Sequence, residues 1–412
     1  MKRTLGIKHL FRYLSTRLRT AHLPRTVKAW AGVLRDACHM SGLPEDPGNA
    51  RCVEACVEWL LEAQKHSISK DGGVARHFDL NKGWSESYPE TTGYIIPTLL
   101  DQAGRMEDGG CLREAAERML CWLVTIQLPE GGFLGGHGYG NGRVPVVFDT
   151  GQILFGLAAG LQEFGQDYEM PLRKACDWLM SNQDEDGAWR VPNPFAVPGV
   201  HTWETHVAWG MLVAAEALGD PAVAAAGLRQ IRWAAARQLK NGWYPDCGLS
   251  HRDRESPLTH TIGYTLRGIL EGAMYAKDDG LLRAVVVTAD ALMGAQLADG
   301  SLPGQLDANW KAAASWSCLT GCCQIALCWL LLHQITGRED YFDAACRANA
   351  FVRRTVRMHG PSEQRGGVKG SFPVWGSYGQ FQYLNWACKF LIDACVLEET
   401  VKADKQQAGG RG

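Results

Sequence analysis

A glutamine closely followed by a glycine turn recurs six times along this chain, and that recurrence limits the possible folds more than any other feature. The copies are Gln64 to Asp71-Gly72-Gly73, Gln127 to Glu130-Gly131-Gly132, Gln183 to Asp186-Gly187, Gln238 to Asn241-Gly242, Gln296 to Asp299-Gly300, and the degenerate Gln364-Arg365-Gly366-Gly367. Each ends an amphipathic helical pattern: in the third copy Leu172, Ala175, Cys176 and Leu179 form one apolar stripe, and Gly187 is the stop signal. A long connection follows each turn, then a more uniformly apolar helix expected to be buried on all sides. These inner helices open at Thr92-Gly93-Tyr94, Thr150-Gly151-Gln152, Thr205-His206-Val207, Ile262-Gly263-Tyr264, Thr320-Gly321-Cys322 and Tyr378-Gly379-Gln380, a period of about 57 residues. The expected architecture is all-α: a single (α/α)6 toroid over residues 49–398, with a basic helical extension at 1–48 and a disordered polar tail at 399–412.

Composition fits one large core without staples, at 46% hydrophobic and 21% charged residues. A formal net charge of -2 gives no global attraction for nucleic acid. Lys2, Arg3, Lys8, Arg12, Arg17, Arg19, Arg25 and Lys28 interrupt every early apolar run, so no export signal is expected. A helix packed on the ring is one outcome for this arm, and peripheral contact with an anionic membrane is another. No segment is expected to span a bilayer. Of fourteen cysteines, Cys52, Cys56, Cys121, Cys176, Cys328, Cys346, Cys388 and Cys395 fall on apolar helical faces and read as reduced core residues, which fits a cytoplasmic location.

The long connections all emerge at the inner-helix N-terminal end, which makes that end the working face. Six sets of unsatisfied N–H groups converge there, favouring an anionic ligand group. Aromatic side chains are frequent in or beside these loops: Trp84, Tyr88, Tyr139, Trp189, Trp203, Trp243, Trp310, Trp316, Trp375 and Tyr378, with His137 nearby. Flat rings serve sugar binding, isoprenoid binding and loop packing alike.

The run Pro129-Glu130-Gly131-Gly132-Phe133 with Gly135-Gly136 and Asp149-Thr150-Gly151 resembles the repeat of protein prenyltransferase β-subunits and squalene-cyclase-like proteins. Gln183-Asp184-Glu185-Asp186-Gly187-Ala188-Trp189 is similar to their Gln-to-Trp repeat. The chain has no Asp-x-Asp-Asp acid of the class II cyclases, and Asp307 stands too far from Cys318 for the prenyltransferase zinc set, so this resemblance implies architecture. Polysaccharide lyases, uronyl C5-epimerases and several glycoside hydrolases are also six-hairpin rings. Ser87-Tyr88-Pro89-Glu90-Thr91-Thr92-Gly93-Tyr94 and Gly366-Gly367-Val368-Lys369-Gly370-Ser371-Phe372-Pro373 look like bacterial proteins associated with exopolysaccharide assembly.

Two residues before the repeated glycine stand Thr91, Asp149, Glu204, Thr261, Leu319 and Ser377, so the carboxylates at this level, Asp149 and Glu204, occupy neighbouring inner helices. Such a pair suits glycosidic cleavage, or each acid caps its own helix. His206 takes the place of a glycine in the repeat, a break of the kind found at functional sites, where imidazole would act as a base. Around it are expected Glu204, His201, His260, Tyr264, Tyr88 and Glu90, with Arg76, Arg143 and Lys311 from loops. For uronate chemistry this gives His206 or His260 as base, Tyr88 or Tyr264 as proton donor, and Arg143 or Lys311 to neutralise the carboxylate. No cofactor is expected; Cys247, Cys318 and Cys322 form a weaker alternative, a zinc site. The sequence reads as a carbohydrate-active enzyme on an acidic bacterial polysaccharide or oligosaccharide, by C5 proton abstraction or acid-pair hydrolysis. The alternatives are an isoprenoid enzyme and a non-catalytic glycan-binding protein.

Overall fold

The computed structural model describes residues 24–106, 109–135, 144–190, 196, 198–251 and 253–409. Its described helices are α1 (Val27–His39), α2 (Asn49–His66), α3 (Pro89–Ala103), α4 (Gly110–Ile126), α5 (Val147–Phe164), α6 (Glu169–Ser181), α7 (Thr205–Leu218), α8 (Pro221–Ala235), α9 (Thr259–Ala276), α10 (Asp279–Ala295), α11 (Leu319–Thr336), α12 (Glu339–Thr355) and α13 (Asn385–Gly409). Helices α3, α5, α7, α9, α11 and α13 pack side by side in that order, and α13 returns to α3, so the inner wall is a closed ring. Each inner helix packs on the outer helix that follows it through a short return. The sixth partnership joins the last inner helix, α13, to the first outer helix, α2. The chain is an (α/α)6 toroid whose circle is completed by elements from opposite ends of the sequence.

The repeated glutamine is a stitch between outer helices. Gln127 Nε2 donates to Gly131 O in its own turn (2.9 Å) and to Pro171 O on the next outer helix (2.8 Å). Gln64, Gln183 and Gln296 bridge in the same way, to Ala115, Ala226 and Ala344. The first glycine of every turn has positive φ, from 78° at Gly366 to 104° at Gly131, where a side chain would be strained. Gln364 does not follow the rule: it accepts from Arg357 instead of bridging helices.

Four expectations change. The polar tail continues α13 to Gly409, because Val401 is buried and Lys402 pairs with Glu398 at 2.6 Å, so no disordered tail begins at 399. Cys121 is exposed and Cys346 half-buried, outside the core set. Helix α11 does have the length and composition of a membrane span, but it is an inner-wall helix buried by its neighbours. The long connections also contain short strands. In them β1 (His77–Asp79) pairs with β2 (Gly83–Trp84) and with β5 (Gln382–Leu384), and β3 (Ser317–Cys318) pairs with β4 (Ser371–Phe372). The last inner helix therefore starts at Asn385, after β5, and not near Gly379. Helix α1 is held on the ring by the buried Asp36–Lys369 pair at 2.7 Å; residues 1–23, the rest of the basic arm, lie outside the described residues.

Candidate active site

Backbone contacts set the inner-helix register. Loop N–H groups that follow the glycine turns donate to helix side chains at one level: Val74 to Thr92 Oγ1 (3.1 Å), Phe133 to Thr150 Oγ1 (2.9 Å), Leu302 to Cys322 Sγ (3.4 Å) and Val368 to Cys388 Sγ (3.2 Å). Adjacent helices touch backbone to backbone where Gly156 faces Gly93 O, Gly210 faces Gly151 O and Gly268 faces Thr205 O. Thr205, not His206, therefore occupies the glycine level. His206 falls one residue further along, in a layer with Tyr94, Gln152, Tyr264, Gln324 and Phe390.

That layer plugs the ring. All six side chains are buried. The His206 ring lies 4.4 Å from Tyr264 and 6.5 Å from Phe390, which lies 5.7 Å from Tyr94. His206 Nδ1 is 2.7 Å from Gln152 Oε1, a bond that places the proton on Nδ1. Burial, with Lys389 and Arg267 near, drives its pKa well down, so it stays neutral. The expectation of His206 as a base in the funnel fails, because the side chain lies in the plug and lines a chamber at the opposite end.

Above the plug, at the inner-helix N-termini, is a cavity of about 350 Å³. Arg76, Tyr88, Glu90, Asp149, Trp203, His260, Tyr264 and Tyr378 line it as the sequence suggested, and Thr91, Phe148, Leu249, Thr261 and Trp386 complete it. Trp386 joins the lining because the last inner helix opens at Asn385, several residues later than the spacing of the repeats predicts. Glu90 and Asp149 occupy the openings of neighbouring helices α3 and α5. Burial pushes the Glu90 carboxyl up to about 7, against the opposing effects of a Tyr88 hydrogen bond and Arg76. Tyr88 senses both carboxylates, Glu90 and then Asp149, after the larger effect of its own burial; all three hold its proton on. The Arg76 guanidinium lies 5.3 Å from the Tyr88 ring and 5.0 Å from the Trp386 ring.

His260 faces the same cavity. Its Nδ1 is 2.8 Å from Gln324 Oε1, and burial lowers its pKa to about 4 despite that bond. The ring is neutral near pH 7, with Nε2 as its basic nitrogen. Trp386 Nε1 donates to Tyr378 Oη (2.9 Å), and Tyr378 packs 5.3 Å from His260.

Several expected residues lie elsewhere. Glu204 is buried outside this cavity with no hydrogen-bond partner for Oε2 among the described residues, and burial pushes its pKa well up, so the Asp149–Glu204 pair is replaced by Asp149 and Glu90. His201 is stacked behind Trp203 at 4.6 Å. Trp189 is a core residue donating to Leu179 O, and Trp84 packs on Trp59 and Phe78. Trp243 and Trp310 pack on each other at 5.1 Å, Trp316 fills the space beside Gly304 and Gly376, Trp375 accepts from Gln380 through its carbonyl, and Lys311 is exposed. None of these lines the cavity. His137, Tyr139 and Arg143 lie outside the described residues.

The cysteines of the zinc alternative are used separately. Cys247 Sγ is 3.4 Å from Thr265 Oγ1, Cys318 Sγ caps α11 by accepting from Gly321 N–H, and Cys322 Sγ accepts from Leu302 N–H. Burial raises all three thiols, Cys247 to about 11 and Cys318 to about 12. Among the described residues no three His, Cys, Asp or Glu side chains gather as a metal site.

No family model and no curated protein matches the chain. Solved structures do. An unsaturated glucuronyl hydrolase specific for heparin superposes with a TM-score of 0.69 at 16% identity, covering 86% of this chain and 98% of its own. A cellobiose 2-epimerase from Spirochaeta thermophila gives 0.68 at 14%, covering 86% and 95%, and a D-mannose isomerase gives 0.63 at 12%, covering 84% and 97%. At these identities the shared feature is the closed six-hairpin ring itself, the (α/α)6 toroid.

Proposed function

We propose that this protein is a carbohydrate-active enzyme that hydrolyses an acidic oligosaccharide in the cavity at the inner-helix N-termini, with Glu90 and Asp149 as its acid pair. The observation that carries the reading is that both carboxyls line one aromatic-walled hollow from adjacent helices, and that burial holds Glu90 half-protonated near neutral pH. A carboxyl that titrates near 7 is suited to deliver a proton in that range. Glu90 gives its proton to the leaving oxygen as the glycosidic bond breaks, and Asp149 takes a proton from the water that adds to the sugar carbon. Arg76 offers a cation for a substrate carboxylate, and Phe148, Trp203 and Trp386 offer faces for sugar rings. The glucuronyl hydrolase and the cellobiose epimerase of the same fold are saccharide enzymes by name, which supports this substrate class.

The test is release of reducing ends from a panel of uronate-containing oligosaccharides by the purified chain. Glu90→Gln and Asp149→Asn should each lower the rate by about 10²-fold or more while the fold is retained. Full turnover by both variants would refute the assignment. A second reading has one observation in its favour: neutral His260, fixed through Nδ1, lines the same cavity and could abstract a carbon-bound proton for epimerisation. Deuterium uptake from heavy water into recovered sugar, without new reducing ends, would select it.

A further inference from the structure

The ring has a second chamber, at the C-terminal ends of the inner helices, that the proposed reaction does not use. It holds about 490 Å³, and the layer containing His206 and Tyr264 separates it from the funnel. Its walls are mainly apolar, with Phe155, Trp209, Leu327 and Leu331 among them. Cations and polar atoms are set into these walls at depth. Arg267 donates through Nε to Glu271 Oε1 at 2.6 Å and lies 4.4 Å from the Trp209 ring, while its two terminal amino groups have no acceptor among the described residues. Lys389 Nζ reaches Asp393 Oδ2 at 2.5 Å, and Asp393 also accepts from Thr98. His206, 2% exposed, also lines the chamber, and its Nε2 has no partner among the described residues.

An apolar cup into which a guanidinium turns an edge that no described residue fills is an open cation site, and the unprotonated His206 Nε2 in the same wall calls for a hydrogen-bond donor, since buried polar groups are normally paired. The aligned N–H groups of a guanidinium match the two oxygens of a carboxylate, and Trp209, Leu327 and Leu331 match a short hydrocarbon body. We infer that this chamber is a second ligand site, distinct from the funnel, for a small organic carboxylate whose apolar body lies against Trp209 and whose head meets Arg267. Lys389 lines the same chamber and adds a second cation to its wall. This inference does not depend on the reaction proposed above.

The test uses the full chain with hexanoate as probe and 1-hexanol as its uncharged counterpart, read by titration calorimetry. Expected are saturable one-site binding of hexanoate and about tenfold or weaker binding of the alcohol. Arg267→Met should weaken hexanoate by about tenfold or more, and Arg76→Met, in the funnel, should leave it unchanged. Leu331→Trp, which fills the chamber and leaves the ion pairs intact, should abolish binding and serves if Arg267→Met does not fold. Absence of saturable binding, equal affinity for the alcohol, retention in Leu331→Trp, or loss in Arg76→Met alone would overturn the site.

Discussion

At the scale of single residues, the working distinction is between side chains that face the funnel and those that face the plug. Glu90 belongs to the first set. Its pKa is raised in the folded chain, so the protonated form is favoured there; the stability linked to it is present at low pH and is lost as pH rises through about 7. Glu90→Gln should therefore raise the thermal midpoint at pH 8 and change it little at pH 5, while lowering turnover at both; melting curves at the two pH values check this. His206 belongs to the second set. Because Phe390 fills an equivalent place in the same layer, His206→Phe should keep turnover within about tenfold, the loss of Gln152's partner costing about 1–3 kcal/mol in stability. A collapse of turnover in a folded His206→Phe protein would return the imidazole to the chemistry.

At the scale of helices, what the sequence reveals is periodicity, and what it hides is register. The glutamine-to-glycine repeat marks the outer helices because Gln64, Gln127, Gln183 and Gln296 share a fixed task, each clamping its own turn and the next outer helix. The inner helices carry no such invariant residue: the level read as glycine holds Gly93, Gly151 and Gly263 but also Thr205. Aligning the glycine level by sequence alone therefore sets His206 one step out of line, and with it the acid pair. Tyr88, Glu90, Asp149 and His260 were legible as funnel residues because they stand at helix openings after long loops. Trp243, Trp310 and Trp316 stand in the same loops but pack on one another or on glycines, and nothing in a linear sequence separates the two outcomes. The contact-making glycines give a direct test of the register. A Cβ at Gly268 would lie 2.2 Å from Thr205 O, so Gly268→Ala must push α9 from α7, at about 1–3 kcal/mol, whereas Gly294→Ala, with open space around it, should be neutral or stabilising. Denaturant midpoints of the two variants compare them.

For the molecule as a whole, stability depends on how its circle is closed, because α2 and α13 come from opposite ends of the described ring. A buried polar network marks that seam. Arg353 on α12 donates to Asp46 through Nε (2.8 Å) and Nη2 (2.6 Å), and to Glu398 on α13 through Nη1 (3.0 Å), while Asn349 and Lys402 supply further bonds to Glu398. Burial by itself would raise the Glu398 carboxyl, but Arg353 and its neighbours outweigh that and hold it below its ordinary value; Asp46 is lowered likewise. Depressed carboxyls contribute stability that is present above their unfolded pKa values and lost as pH falls through the folded ones. Arg353→Met leaves Glu398 charged, buried and short of its main partner at neutral pH, a change costing on the order of 3–5 kcal/mol. Near pH 4 the loss should shrink, because the native pair is then weakening and the stranded carboxyl can take a proton. Adding Glu398→Gln should recover part of the loss at pH 7 and none of it near pH 4. Thermal unfolding of the single and double variants at both pH values measures this; a loss independent of pH would mean that Arg353 closes the ring by packing rather than by charge.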